Sequence, residues 1–130
     1  GTFLKELNSE VKVLAVEPPS GEQVQGLRSL EDGYIPPVFE KWGGAELLDG
    51  RSIVRPRESL VWTRRLGEVG VFAGISSGAA LAGAAKVAER IDTGTIVFVI
   101  CDAGWKYLST GAYTDDLDTA AARAEEIIYF

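Results

Sequence analysis

The stretch VFAGISSGAALAGAAK, residues 71–86, decides the fold expected for this chain. An apolar run at 71–73 is followed by a turn that carries two serines between glycines, and then by small residues at helical spacing. Gly74 and Gly78 permit a sharp turn and a close approach of the backbone to a ligand. The helix, expected to begin near Ser77, directs free N–H groups and the positive end of its dipole at this turn. We therefore predict that a flat polar ligand docks there.

The residues alone leave the role of the two serines open. Either Ser76 or Ser77 suits the N-cap of the following helix, where serine is preferred. The spacing G-x-S-x-G is also that of a nucleophile elbow, but the chain has no histidine and so lacks the usual base of a Ser-His-Asp hydrolase. With no histidine and a single cysteine, it also lacks the usual ligands of a metal–thiolate centre. We predict no metal site.

Composition bounds the class of protein. The 130 residues include 13 Lys and Arg against 19 Asp and Glu, for a net charge of −6, and 46% are hydrophobic. A negative chain without a basic stripe is not expected to bind nucleic acid. The longest apolar stretches, such as 95–101, are far shorter than the roughly 20 residues that span a bilayer. Because nothing resembles a signal peptide, a cytoplasmic protein without a membrane segment is the default expectation.

Apolar patterning predicts strands that alternate with helices. Strands are expected at 11–16, within 45–54, at 71–73 and at 95–101, and helices at 3–7, 57–69, 77–90 and 118–128. The run TIVFVIC, 95–101, is continuously apolar, as strands buried on both faces are, and Cys101 is expected to be buried with it. This pattern predicts an α/β sandwich with a mainly parallel sheet.

Loops that follow the strands are the expected place for a ligand. In parallel α/β sheets, ligands lie beyond the carboxyl ends of the strands, so the segments 17–28, 74–78 and 102–110 should converge. The irregular stretch 22–41 is long for a connection in a compact domain, which marks it as a candidate binding loop.

Three motifs, in this order, resemble the cysteine synthases of the pyridoxal-phosphate fold type II group. They are AVEPPSGEQVQGLRSLEDGYIP (15–36), VFAGISSGAALAGA (71–84) and IVFVICDAGWKYLSTGAY (96–113). The sequence is most similar to the M-type enzymes of actinobacteria that use O-phosphoserine. The resemblance covers essentially the whole chain and implies a three-layer α/β sandwich, the C-terminal, large-domain part of the tryptophan synthase β-like architecture.

The resemblance also implies that residues 1–130 are a single partial domain. The family's Schiff-base lysine belongs to an N-terminal half that is not in this sequence. The chain has no methionine and begins inside a predicted helix, so a preceding segment is expected. The intact parent would be a pyridoxal-phosphate-dependent transferase of cysteine biosynthesis, and this fragment alone would be catalytically silent.

The implied reaction is a β-replacement, in which the leaving group departs from the β-carbon of an activated serine and a sulfur nucleophile adds. In relatives, the serine at the Ser76 position hydrogen-bonds the pyridine nitrogen of the cofactor, and Gly74, Ile75, Ser77 and Gly78 shape the turn. A hydroxyl does not hold that nitrogen protonated as a carboxylate would, which suits elimination better than transamination. Ser77 is then the helix N-cap or a supporting group.

Substrate contacts are implied in the two other motifs. Arg28 matches an arginine that O-phosphoserine-using relatives place against the substrate phosphate, a group that suits the planar guanidinium fork. Gly26 would bring the backbone of the same loop close to the reacting substrate. Asp102, Lys106 and Tyr107 match the border of the active site and are expected at its entrance, with packing and surface charge as an equal alternative.

The resemblance implies a homodimer that acts on a small amino-acid substrate. It leaves open O-phosphoserine or O-acetylserine as the serine donor, and sulfide or a small thiocarboxylated carrier protein as the sulfur donor. The apolar end at 127–130 resembles a tail that covers the active site in some relatives. Two other interpretations remain: a cystathionine β-synthase-like enzyme of the same fold, and a non-catalytic interaction module.

Overall fold

The computed structural model describes residues 1–126, so the interpretation of 127–130 as a covering tail lies outside the described residues. The regular elements are α1 (Thr2–Leu7), β1 (Leu14–Glu17), α2 (Pro37–Lys41), β2 (Gly50–Ile53), α3 (Pro56–Glu68), α4 (Ile75–Ala88) and α5 (Leu117–Glu126). Two 3₁₀ segments, Gly44–Leu47 and Gly104–Thr110, lie in the connections. No helix in this part of the chain is long and apolar enough to cross a membrane.

The two strands form a parallel pair, which confirms the expected α/β class with a parallel sheet. Leu14 pairs with Gly50, and the register continues to Glu17 and Ile53. β1 begins three residues later than the apolar pattern predicts. The backbone N–H of Val13 donates to the carboxylate of Asp49 at 2.7 Å instead of entering the ladder.

Helices α3 and α4 pack closely because α4 presents small residues to its neighbours. A Cβ at Gly78 would lie 2.0 Å from Thr63 Oγ1 and 2.5 Å from the carbonyl oxygen of Ser59, both on α3. On the sheet side, a Cβ at Gly83 would lie 2.6 Å from Val16 of β1. The alanine- and glycine-rich sequence of α4 therefore holds this helix between α3 and the sheet.

The end of α3 directs the chain into the serine-bearing turn. Gly70 has a φ of +85°, and the N–H of Val71 donates to the carbonyl of Leu66 at 2.8 Å. This is the Schellman pattern, which ends a helix and reverses the chain at a glycine. The Tyr113 hydroxyl then holds the emerging segment by donating to the Ala73 carbonyl at 2.7 Å.

The prediction of a strand at 95–101 is wrong. These residues form no regular secondary structure, and Val97 and Val99 are 86% and 66% exposed. Cys101 is exposed as well, which corrects its expected burial. A continuously apolar strand needs neighbours on both sides, and residues 1–126 supply no backbone partner along 95–100.

The short strand expected at 71–73 is reduced to one bridge. Ala73 pairs with Ala103 in a single antiparallel contact outside the named strands. The Gly104 N–H donates to the Phe72 carbonyl at 3.0 Å, and the Gly74 N–H donates to the Asp102 carbonyl at 2.9 Å. These bonds still bring the segment after 95–101 alongside the serine-bearing turn.

Candidate functional site

The GISSG turn forms the first turn of α4, and both of its serines are buried. The N-cap is Gly74, and its carbonyl accepts hydrogen bonds from the N–H groups of Ser77 and Gly78 at 3.1 and 3.3 Å. The expectation that a serine caps this helix is therefore wrong. The helix begins two residues earlier than the sequence indicates because Gly74 adopts the extended backbone that an N-cap requires.

Ser77 holds the turn against the segment that follows it in space. Its side chain is fully buried, and its Oγ accepts a hydrogen bond from the N–H of Cys101 at 3.0 Å. This contact supports the alternative in which Ser77 steadies the turn rather than touching a ligand.

Ser76 and Gly26, predicted from separate motifs to serve one site, lie against each other. Gly26 has a φ of +87°, and a Cβ built on it would stand 3.3 Å from both Cβ and Oγ of Ser76. The backbone of the candidate binding loop therefore passes directly over the Ser76 side chain. An L-residue at Gly26 would be strained and would also crowd the hydroxyl.

A cavity of about 720 Å³ opens beside this contact. Most of its lining residues belong to the stretch 21–28, which overlaps the start of the candidate binding loop (22–41) and includes Gly26. Arg28, an exposed residue in that stretch, has its guanidinium carbon 5.9 Å from the ring centroid of Tyr34. Among the side chains that the structure describes, residues 1–124, no carboxylate forms an ion pair with Arg28, although the charge of Arg28 helps to lower the pKa of Asp32. A positive group thus faces the cavity without a bound counter-charge.

Asp102, Lys106 and Tyr107 line the same cavity. The Tyr107 hydroxyl donates to Asp102 Oδ2 at 2.8 Å, and Lys106 Nζ lies 3.4 Å from that oxygen. The other carboxylate oxygen, Oδ1, is buried and has no hydrogen-bond partner in the described part of the chain. A Cβ at Gly74 would stand only 2.0 Å from it. The three residues therefore border the serine-bearing turn.

Sequence reasoning missed Glu17, which fixes one end of the binding loop. Glu17 is 2% exposed, and its Oε2 accepts a hydrogen bond from the Leu30 N–H at 2.6 Å. Its Oε1 accepts from Arg51 at 3.1 Å, and Arg51 also pairs with Glu31 at 3.1 Å. The sequence did offer a signal for this role, because Glu17 directly follows a predicted apolar strand. A carboxylate buried at such a position requires polar partners.

Asp32 fixes the loop at a second point and was also missed. Its Oδ1 accepts hydrogen bonds from the Ser20 hydroxyl at 2.8 Å and from the Gly21 N–H at 3.1 Å. These two bonds, the Ser20 bond first, hold the pKa of the Asp32 carboxyl below its usual range. Because Asp32 closes residues 20–32 into a loop, it limits where Arg28 can reach.

Tyr107 and Tyr113, which lie near Asp102, are expected to make the folded state less stable at alkaline pH. Burial, followed by the charge of Asp102, raises the pKa of Tyr113 to about 12. Burial, followed by the hydrogen bond to Asp102, raises the pKa of Tyr107 further. The folded state thus favours the neutral phenols. The two neutral phenols therefore contribute to the free energy of unfolding. Their contribution is complete below the unfolded pKa of about 10 and is lost as the pH rises through 12.

We expect the free energy of unfolding, measured with urea, to fall between pH 10 and 12. The fall should be shallower for Tyr107→Phe, which removes one of the titrating groups. An unchanged slope in this variant would contradict the account of Tyr107.

The described residues contain no group of three or more His, Cys, Asp or Glu side chains placed to hold a metal ion.

Comparison with known proteins relates this geometry to one class of enzyme. No protein-family model matches the chain. It is 33% identical over 115 residues to cysteine synthase B of Escherichia coli, a match that covers 88% of this chain and 37% of the relative. It is 32% identical over 121 residues to the cysteine synthase of Aquifex aeolicus, covering 88% of this chain and 36% of the relative. The chain therefore spans little more than a third of the curated relatives it matches.

Solved structures show the same relationship in three dimensions. The O-acetylserine-dependent cystathionine beta-synthase of Helicobacter pylori is similar with a TM-score of 0.67 and 30% identity, over 85% of this chain and 38% of that one. The cysteine synthase of Entamoeba histolytica has a TM-score of 0.75 and 26% identity, over 96% and 40%. The chain shares the fold of the matching part of these fold type II enzymes, which confirms the expected fold class.

Proposed function

We propose that this chain, whose homologues are cysteine synthases, is the C-terminal large-domain part of such an enzyme and that the intact protein makes cysteine by β-replacement. The observation that carries this proposal is the contact between Gly26 and Ser76. The two residues come from different motifs, lie fifty positions apart, and meet at the N-terminus of α4. The Schiff-base lysine belongs to the part of the relatives that the match does not reach, so residues 1–130 alone are inactive.

The site fits one edge of pyridoxal phosphate. That cofactor, when bound, supplies the electron sink that lets a β-substituent leave. The Ser76 hydroxyl lies in the first turn of a 14-residue helix, and the residue is only 4% exposed. Gly26 keeps the space above it free of a side chain. Ser76 would donate or accept a hydrogen bond at the pyridine nitrogen without adding charge.

Arg28 supports O-phosphoserine as the serine donor, as in the M-type enzymes. Its guanidinium is exposed, lines the cavity, and pairs with no carboxylate of the described residues. The nearby Asp32 is already engaged by Ser20 and Gly21. A phosphate dianion is the ligand that satisfies a planar guanidinium with paired hydrogen bonds.

The remaining parts of the proposal concern the assembly. Large apolar side chains are exposed at two places: Val97 and Val99 in the irregular segment 95–101, and Phe3 and Leu7 on α1. Such surfaces in a folded chain mark places that another polypeptide surface covers. We place the rest of the enzyme there, and propose a cytoplasmic homodimer that takes sulfur from sulfide or from a thiocarboxylated carrier protein.

A cystathionine β-synthase-like activity is the second candidate, because one similar structure carries that name. Turnover by the full-length protein separates the two candidates. It should be supplied with pyridoxal phosphate and with O-phosphoserine or O-acetylserine, each paired with sulfide or with homocysteine. The proposal predicts cysteine from O-phosphoserine and sulfide as the fastest reaction. Faster formation of cystathionine would favour the second candidate, and no turnover with any pair would contradict both.

A further inference from the structure

Gln25 is a buried polar side chain whose amide has no partner. The residue is 8% exposed, and neither its Nε2 nor its Oε1 makes a hydrogen bond to any group that the structure describes. Leaving a buried polar group without a hydrogen bond destabilises the folded state, and here a donor and an acceptor are both unpaired. The amide therefore contributes nothing to the hydrogen bonding that holds this fold, and it calls for a partner from outside.

The position of Gln25 points to the proposed site. The Leu27 N–H donates to the Val24 carbonyl at 2.8 Å, so Gln25 and Gly26 form the tip of a tight turn. Gly26, with its positive φ, lies so near Ser76 that an added Cβ would stand 3.3 Å from the Ser76 side chain. Gln25 lines the 720 Å³ cavity together with Arg28.

We propose that the Gln25 amide binds the β-substituent of the amino-acid substrate, an inference that rests on the proposed function. The proposal requires the amide, which is buried in this structure, to turn into the cavity that the residue lines. Nε2 then donates to an oxygen of the substituent. Acetyl and phosphoryl groups both offer such an oxygen, so a neutral amide serves either donor, whereas the guanidinium of Arg28 favours the dianion.

Unfolding of the full-length protein gives the first test. Gln25→Leu removes the unpaired amide and nearly preserves the volume of the side chain. We expect the urea midpoint to stay the same or rise, since a desolvation cost disappears. A lowered midpoint would mean that the amide holds the fold together, and would overturn the inference.

Kinetics of the full-length protein with sulfide give the second test. Gln25→Leu should lower kcat/KM about 2- to 10-fold, as expected for one lost hydrogen bond, with O-acetylserine and O-phosphoserine alike. Gln25→Glu should lower it more with O-phosphoserine, because the carboxylate repels the phosphate. Unchanged kcat/KM with both donors in Gln25→Leu overturns this inference alone, whereas an inactive wild-type protein overturns the proposed function as well.

Discussion

Gly78→Ala is expected to destabilise the chain by more than about 3 kcal/mol, a large part of the roughly 5–15 kcal/mol that stabilises an ordinary domain. The added Cβ would lie 2.0 Å from Thr63 Oγ1 and 2.5 Å from the backbone nitrogen of Thr63. A flexible side chain can move away, but the backbone of α3 cannot do so without separating the two helices. Urea unfolding followed by circular dichroism measures the loss.

Gly67→Ala is the matched control for this prediction. Gly67 also lies within a helix, α3, but a Cβ there would have no heavy atom within 4 Å. Replacing a helical glycine by alanine at an open position stabilises a protein by up to about 1 kcal/mol. Equal stability of the two variants would show that α3 and α4 do not approach as closely as described.

Arg28→Ala is expected to change the choice of serine donor. In the full-length protein, kcat/KM with O-phosphoserine should fall about 10- to 100-fold, the effect of losing charge-assisted hydrogen bonds of about 1.5–3 kcal/mol. With O-acetylserine the change should be under about threefold, because the acetyl group offers no charge to a guanidinium. Initial rates of cysteine formation with each donor give the comparison.

Two further variants sharpen the Arg28 prediction. Arg28→Lys keeps the charge but loses the planar fork, so it should recover only part of the O-phosphoserine rate. Arg90→Ala removes an exposed arginine just beyond α4, outside the cavity wall, and should leave both rates unchanged. Equal losses with both donors in Arg28→Ala would refute a phosphate-binding role.

The helices could be predicted from the sequence because their apolar spacing is a local property. Leu60 and Leu66 of α3 are buried, as the spacing indicates, and α3 and α4 begin within two residues of their expected positions. The start of α4 was misplaced because glycine rather than serine caps it. The failure at 95–101 has a different cause: an apolar run indicates burial, but not whether the covering surface belongs to the same stretch of chain.

Some features of the candidate site could likewise be predicted from the sequence, and others could not. The convergence of Gly26 with the Ser76 turn was expected, since loops at the carboxyl ends of parallel strands meet. Glu17, Asp32 and Gln25 were not singled out, because their roles depend on which groups approach them in space. An aspartate within a polar loop has no distinguishing local pattern, and neither has a glutamine that lacks a partner.

Covalent capture of pyridoxal phosphate tests the central claim, that this chain holds one edge of a cofactor anchored elsewhere. The full-length protein and residues 1–130 alone would each be mixed with one equivalent of cofactor, reduced with borohydride, and analysed by mass spectrometry. We predict one pyridoxyl group on the full-length protein, on a lysine outside residues 1–130, and none at stoichiometric level on the isolated chain. Stoichiometric attachment to a lysine of the isolated chain, or none to the full-length protein, would contradict the account.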